Sequence, residues 1–440
     1  MRRPQPQKLR SFPVLEPSQS DWAIERIVPG GAGFMRLGNG QGAFAAGALP
    51  GERIRVQQAE DHRTYLRATR WTLLETSPDR VEPVCPVQAT CGGCDLMALS
   101  YSAQLIAKVG ILREALLRTG RFRELPEIRT VASERTLGYR SRIRLHVASD
   151  GRVGFFATGT QELVEIPSCP VADPALDRAL TALRAIAARY RGALSRFAEL
   201  ELRVAPSDPR CSLWLLPRAD ELKGTSELLS ALSEVFQVSL AERASDPERD
   251  QRFALPGGVE LRAPAQAFTQ INWPINRALV QALLDAVERR SLRTFCDLYC
   301  GAGNFSLPLL SRGLSGVGIE AAKASIAAAK RAAAAQQLQN GRFLAGDVRE
   351  VLSQLPSSER FDLILLDPPR SGARDALPEI SRRAATHIAY CACDPVTLAR
   401  DLRILCDAGY TLEELTVFDM FPQTHHFETL VWLSRARASG

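Results

Sequence analysis

The sequence predicts a multidomain α/β protein in three parts: a small N-terminal β-barrel, a central mixed α/β domain, and a C-terminal half built on a strand and helix alternation. Three observations carry this. Between about Ser20 and Leu74, short β-like runs alternate with glycine turns. From Val171 to about Pro256, alanine-rich helical stretches flank apolar runs. After Asn272 strand and helix patterns alternate regularly, and the first strand runs into a glycine-rich loop at a helix start. A length of 440 residues fits about three domains, and 45% hydrophobic residues is ample for their cores.

Residues 1–15 form the first segment. Arg2, Arg3, Lys8 and Arg10 occur there with no acid among the first ten residues, the pattern of a basic disordered arm that can graze phosphates. The net charge of +6 fits an anionic partner without demanding one. No apolar core of a leader follows Met1-Arg2-Arg3, and no apolar run approaches the ~18 residues of a membrane span, so a cytoplasmic protein with no membrane partner is expected. Ten cysteines in a reducing compartment argue for thiol chemistry or metal ligation over disulfides. Nothing in the sequence calls for an obligate protein partner.

Residues 16–76 hold the barrel. Trp22-Ala23-Ile24, Gly42 to Ala45, Arg53 to Val56 and Thr64 to Ala68 read as strands, separated by Pro29-Gly30-Gly31-Ala32-Gly33 and Leu49-Pro50-Gly51-Glu52. This pairing of turns resembles a TRAM domain, an OB-like RNA-binding module of RNA-modifying enzymes. A generic small barrel is the plainer reading of the same strands.

Residues 77–262 form the central domain. Cys85 and Cys91-Gly92-Gly93-Cys94 make a C-x5-C-G-G-C array whose glycines let the backbone fold tightly, so that the thiolates face one centre. Cys169 in Pro167-Ser168-Cys169-Pro170 is the candidate fourth ligand. Spacing alone leaves zinc and an iron-sulfur cluster equal. Residues 101–119 carry a helical pattern with Leu105, Val109, Leu112 and Leu116 on one face, a helix suited to packing on the catalytic domain. In Tyr139 to Leu145, period-two geometry sends Arg140, Arg142 and Arg144 to one face, a track for phosphates or an ordinary solvated strand face. Residues 171–256 show no site chemistry.

Residues 263–440 form the last domain. The strand Thr294 to Tyr299 enters Cys300-Gly301-Ala302-Gly303-Asn304-Phe305, which lacks the third glycine of a dinucleotide fingerprint. Glu320 ends the second strand, placed to hold ribose hydroxyls, and Asp347 ends the third, within reach of an adenine amino group. An adenosyl ligand without pyrophosphate fits this set, which resembles class I S-adenosylmethionine-dependent methyltransferases of Rossmann-like fold. The fourth strand ends in Asp367-Pro368-Pro369-Arg370-Ser371-Gly372; Arg370 stands where amino-group methyltransferases place a stacking aromatic.

Ile388 to Tyr390 reads as a buried strand, and Pro395 suits the first residue of a helix. Cys391 and Cys393 between them are either small buried hydrophobes or a nucleophile at a strand's carboxyl end. Three motifs stand in order: Asp367-Pro-Pro-Arg-Ser-Gly, Cys393-Asp394-Pro395-x-Thr397-Leu398-x-Arg400-Asp401, and Asp419-Met420-Phe421-Pro422-x-Thr424-x-His426-x-Glu428. Together they resemble the RNA uracil-C5 methyltransferase family, closest to its TRAM-bearing, [4Fe-4S]-containing members acting on 23S ribosomal RNA.

The resemblance implies Cys393 as nucleophile and Glu428 as base. It implies Gln270, Tyr299, Asn304, Glu320, Asp347 and Asp367 as S-adenosylmethionine contacts, and Cys85, Cys91, Cys94 and Cys169 as ligands of a [4Fe-4S] cluster, with zinc as the alternative. A transfer RNA substrate, cytosine-C5 methylation, and an RNA-binding protein of impaired activity are the competing expectations. Two departures stand out. Asp394 replaces the family's usual asparagine and would oppose thiolate formation unless it caps the following helix. Phe156 stands where an arginine is common.

Overall fold

The computed structural model describes residues 14–15, 20–205, 208–218, 222–240, 250–264, 267–383 and 385–435. They divide into two compact units, one of Met1–Pro83, Cys94–Ile111 and Gln423–His425, the other of Val84–Gly93, Leu112–Pro422 and His426–Gly440.

In the first unit, β1 (Val14–Leu15), β2 (Ser20–Ala23), β3 (Arg26–Ile27), β4 (Gly33–Arg36), β5 (Gly42–Ala45), β6 (Arg53–Asp61) and β7 (Tyr65–Glu75) form one sheet in the order β1-β6-β7-β5-β4-β3, with β2 also on β6. Trp22, Ile24, Ala43, Ala45, Ile54 and Val56 fill its core because alternate residues of each strand face inward. All four expected strands begin within two residues of their expected starts, and Arg53 to Val56 extends to Asp61. The basic arm lies outside the described residues except for Val14 and Leu15, which pair with Glu60 and Ala59. Helix α1 (Tyr101–Arg118) matches the helical pattern, and its residues from Leu112 belong to the second unit.

The second unit continues with β8 (Ile128–Val131), β9 (Arg142–Val147), β10 (Val153–Phe156), β11 (Leu163–Val164), α2 (Pro174–Arg189), α3 (Arg191–Leu194), β12 (Phe197–Ala205), β13 (Asp208–Pro217), α4 (Ser226–Val235), β14 (Gln237–Leu240), β15 (Gln251–Leu255) and β16 (Val259–Ala263). A six-stranded sheet runs β11-β10-β9-β12-β13-β14. Arg142 and Arg144 share a face of β9, as period two requires, and each has a partner within the protein. Glu201 stands opposite Arg144 on β12 and accepts from it at 2.9 Å, and Arg142 lies over the Phe268 ring at 5.2 Å. Phe156 stacks on His146 with ring centroids 3.8 Å apart.

The remaining elements are α5 (Trp273–Arg289), β17 (Thr294–Leu298), α6 (Ser306–Ser311), β18 (Ser315–Glu320), α7 (Lys323–Ala335), β19 (Gly341–Ala345), α8 (Val348–Gln354), β20 (Leu363–Leu366), α9 (Leu377–Arg383), β21 (His387–Ala392), α10 (Pro395–Asp407), β22 (Thr411–Phe418) and β23 (Glu428–Ser434). Their eight-stranded sheet runs β19-β18-β17-β20-β21-β23-β22-β8. Strands β17 to β21 are parallel and β23 is antiparallel to both neighbours. The buried run Leu363-Ile364-Leu365-Leu366 shows why: a strand covered on both faces reads as continuous apolar sequence. The sheet's far edge is β8, paired with β22 and drawn from a stretch well before residue 263. Among the described residues no helix is long and apolar enough to cross a membrane.

Candidate active site

From β17 the chain proceeds outward through β18 and β19, then returns to β20 on the other side of β17 and continues to β21. The carboxyl ends of β17 and β20 therefore flank a topological switch point, where open α/β sheets bind ligands. Asp367 follows β20 there and donates its N–H to the Leu298 carbonyl at 3.3 Å.

Cys393 follows β21 directly. In the antiparallel β21–β23 ladder Ala392 pairs with Thr429, so Cys393 and Glu428, one residue further on each strand, emerge at the same edge of the sheet. Glu428 is 5% exposed and Cys393 is half-buried. Burial pushes the Cys393 thiol up to about 12; Glu428 and Asp367 add to the rise and Arg370 opposes it. Burial, with Asp367 beside it, likewise holds the Glu428 carboxyl well above its ordinary range, again against Arg370. Burial alone lifts Asp367 to about 7. Cys393, Glu428, Asp367 and Arg370 thus act on one another from the ends of three strands. Cys391 pairs with Leu430 inside the ladder, is 1% exposed, and is a core residue.

Asp394 turns to the helix it precedes. Its Oδ1 accepts from the Val396 and Thr397 N–H groups at 3.1 and 2.8 Å, the geometry of an N-cap. The carboxylate is therefore held at the N-terminal end of α10, as the capping expectation for this departure requires. Thr397 Oγ1 donates to the Arg370 carbonyl at 3.1 Å, joining α10 to the turn after β20. Asp401 completes that joint: fully buried, it accepts from the Ala373 N–H and the Tyr390 hydroxyl at 2.7 Å each and from Arg400. Arg400 also donates to the Ser371 carbonyl, so it is a structural partner. Gly372 in the same turn has φ +78°, and a Cβ there would lie 2.5 Å from both the Arg400 guanidinium and the Asp401 carboxylate.

On the cofactor side, Tyr299 holds φ +65°, a strained value for a side-chain-bearing residue and one concentrated at functional sites. Glu320 accepts from the Gly301 N–H at 3.2 Å and the Ala322 N–H at 2.8 Å, fixing the glycine loop against the end of β18. Asn304 is locked in a reciprocal amide pair with Asn276 at 2.8 and 3.0 Å. Asp347 caps α8 through one oxygen at 3.1 Å from the Glu350 N–H. Gln270 is buried and its Oε1 has no hydrogen-bond partner, an acceptor that suits a polar ligand. Asp297, which sequence reasoning passed over, is fully buried inside β17. Its carboxyl is pushed to about 8 by burial, against a hydrogen bond from Ser306. Its only signal is an acid inside the apolar run Phe295 to Leu298.

Of the four array cysteines, Cys85, Cys91 and Cys169 lie in the second unit and Cys94 in the first. Burial raises the Cys91 thiol, with a smaller effect from Cys85; burial raises Cys169 too, with Arg140 opposing and Cys91 adding. Cys91 is thus near enough to be influenced by Cys85 and to influence Cys169. Arg140 lowers both Cys91 and Cys169, and its buried Nε has no hydrogen-bond partner. A thiol set beside an orphaned guanidinium N–H fits a thiophilic, anionic centre. Among the described residues, no group of three or more His, Cys, Asp or Glu side chains is arranged to hold a metal ion.

Comparison with known proteins agrees with this geometry. Residues 257–436 match the family model for tRNA (uracil-5-)-methyltransferase. A 23S rRNA (uracil(1939)-C(5))-methyltransferase of Shewanella amazonensis is 34% identical over 421 residues, covering 92% of this chain and 93% of the relative. The enzyme of the same description from Vibrio parahaemolyticus is 31% identical, covering 94% and 95%. Among solved structures, the Pyrococcus abyssi tRNA (uracil-54, C5)-methyltransferase in complex with S-adenosyl-L-homocysteine superimposes with a TM-score of 0.73 at 25% identity, covering 94% of this chain and 100% of that one.

Proposed function

The chain belongs to the RNA (uracil-5-)-methyltransferase family, and on that premise we propose that it methylates C5 of a specific uridine in 23S ribosomal RNA, using S-adenosylmethionine. The observation that carries the reading is the emergence of Cys393 and Glu428 at one edge of the β21–β23 ladder.

Gln270, Tyr299, Asn304, Glu320, Asp347 and Asp367 hold S-adenosylmethionine, which supplies an electrophilic methyl group. Uracil C5 alone is too weak a nucleophile to take it. The Cys393 thiolate therefore adds to C6, and the displaced π electrons make C5 nucleophilic. C5 takes the methyl as its bond to the sulfonium sulfur breaks, leaving S-adenosylhomocysteine; Glu428 then removes the C5 proton, the C–H electron pair restores the C5–C6 double bond, and the C6–S bond breaks to release the thiolate. Asp367 and the turn after it seat the uracil. A base in a stack cannot reach such a pocket, so the substrate is a loop or remodelled stem whose target is turned out.

The seven-stranded sheet over residues 16–76 acts as the TRAM barrel and binds RNA. Residues 77–262 form the cluster-bearing domain and 263–440 the catalytic one. Cys85, Cys91, Cys94 and Cys169 hold a [4Fe-4S] cluster; the influence of Cys85 on Cys91 and of Cys91 on Cys169, with the orphaned Arg140 N–H, supports this reading. Protein purified without oxygen is expected to be brown and to contain iron, and a colourless protein with stoichiometric zinc would overturn the cluster.

Cys393→Ala should abolish methyl transfer from labelled S-adenosylmethionine to RNA, while Cys391→Ala retains substantial activity; the reverse result sinks the assignment. Ribosomal RNA is favoured over transfer RNA because relatives named for 23S RNA share up to 34% identity over more than nine-tenths of the chain, against 25% for the Pyrococcus tRNA enzyme. Mapping 5-methyluridine in both RNAs from a strain lacking the protein separates the two.

A further inference from the structure

Residues 419–427, which lead into the proposed base Glu428, contain no helix or strand. The chain therefore lacks a ladder of its own just before the residue whose position matters most. Within the first unit, however, Gln423 to His425 are held by a dense set of hydrogen bonds from residues 95–104. The Leu96 N–H donates to the Gln423 carbonyl at 3.0 Å. The Gln104 carboxamide, 1% exposed, accepts from the Gln423 N–H at 2.9 Å and donates to Gln423 Oε1 at 3.0 Å. The same amide group is itself fixed by the Leu96 and Leu99 carbonyls at 3.1 and 2.9 Å. Asp95 accepts from the His425 N–H at 2.8 Å and is also hydrogen-bonded to His425 Nδ1.

A second observation is independent of these bonds. Gln423 has φ +70°, a left-handed conformation that is strained for a non-glycine residue and persists only where the surroundings impose it. The Gln104 and Leu96 bonds supply that imposition. Asp95 is itself backed by the Gly31 turn, where an added Cβ would collide with its carboxyl group.

We propose that Asp95 and Gln104 are positioning residues for Glu428, acting by anchoring Gln423 and His425, the latter three residues before the base in the chain. The inference rests on Glu428 being the base. Proton removal demands placement to a fraction of an ångström, and a misplacement of ~1 Å costs on the order of 10²-fold in rate. Addition of Cys393 to C6 does not require Glu428. Loosening the anchor should therefore stall the reaction after the sulfur–carbon bond has formed and before it breaks.

The test compares wild type, Glu428→Gln, Asp95→Ala, Asp95→Asn and Gln104→Ala on unmodified RNA with S-adenosylmethionine, reading both released methylated RNA and the protein–RNA adduct that survives denaturing electrophoresis. Expected are an at least tenfold slower release for Asp95→Ala and Gln104→Ala, an adduct accumulating as in Glu428→Gln, and a KM for RNA within twofold of wild type. Asp95→Asn retains an acceptor for the His425 N–H and should recover most of the rate. Release at the wild-type rate in both alanine variants, or adduct formation and release falling together, overturns the anchor. Urea unfolding identifies any alanine variant that does not fold, and for it the graded Asp95→Asn rate decides by the same two criteria. Should Glu428→Gln itself release RNA normally, the base assignment falls and this inference with it; if Glu428→Gln stalls and the anchor variants do not, the anchor alone is wrong.

Discussion

Cys393, the proposed nucleophile, is poorly ionised in the resting protein, and its reactivity should show this directly. Burial and Glu428 lift its thiol from an ordinary 9.0 to about 12. At pH 8 a thiol at the ordinary value is about one-tenth thiolate, and one at 12 about 1 in 10⁴, a deficit on the order of 10³. Part of this is regained, because a more basic thiolate is a better nucleophile. With a Brønsted coefficient of roughly 0.4–0.5 the gain over three units is about 16- to 32-fold, leaving Cys393 roughly 30- to 60-fold slower than an unperturbed thiol. The assay is modification by a small disulfide probe, followed by mass spectrometry of the Cys393 peptide, with urea-unfolded protein as reference. The rate should climb tenfold per unit without levelling below about pH 10, while the reference levels near 9. Levelling at or below pH 9 in the folded protein would refute the reasoning. The variants have opposite signs: Arg370→Ala removes an opposing positive charge and slows modification, whereas Glu428→Gln removes a repelling carboxylate and speeds it. Linkage gives a further sign. The folded state favours the protonated thiol, so the stability it contributes is complete below the unfolded value near 9 and is lost as pH rises toward 12.

Two further outcomes concern the scaffold around the thiol. Asp394→Ala removes the cap from α10 and should lower stability by about 1–2 kcal/mol in urea unfolding, whereas Asp394→Asn keeps the acceptor and should cost less than half of that. Gly372→Ala must adopt a left-handed backbone and displace the Arg400–Asp401 pair; about 1–2 kcal/mol of strain and roughly 1.5–3 kcal/mol from the disturbed charged hydrogen bond predict a loss near 3–5 kcal/mol in the same assay.

The sequence was most legible where function depends on local pattern. The strand–thiol–proline–helix order around Cys393 and the glycine loop after β17 follow from neighbouring residues, and both stand where that order implies. The local pattern left Cys391 and Cys393 equal and only the family resemblance singled out Cys393; the structure places one within the ladder and the other beyond it. What escaped depends on partners distant in the chain. The arginines of β9 read as a phosphate track or a solvated strand face, because Glu199 and Glu201, which pair with Arg144, lie more than fifty residues later. Strand β8 is only four residues long, and its place beside β22 is set by tertiary pairing. Asp401 looked like one more charge on a helix; its burial and three partners are visible only once Tyr390, Ala373 and Arg400 are brought around it.

The antiparallel insertion of β23 beside β21 has a mechanical consequence. Ala392 and Thr429, the residues beside the proposed nucleophile and base, are paired in a buried ladder, which fixes the strand ends from which the two side chains leave. A site framed in this way does not mould itself around its target. On the proposed function the conformational work falls on the nucleic acid, and a sequence that can surrender its uridine at low cost is selected before any chemistry begins.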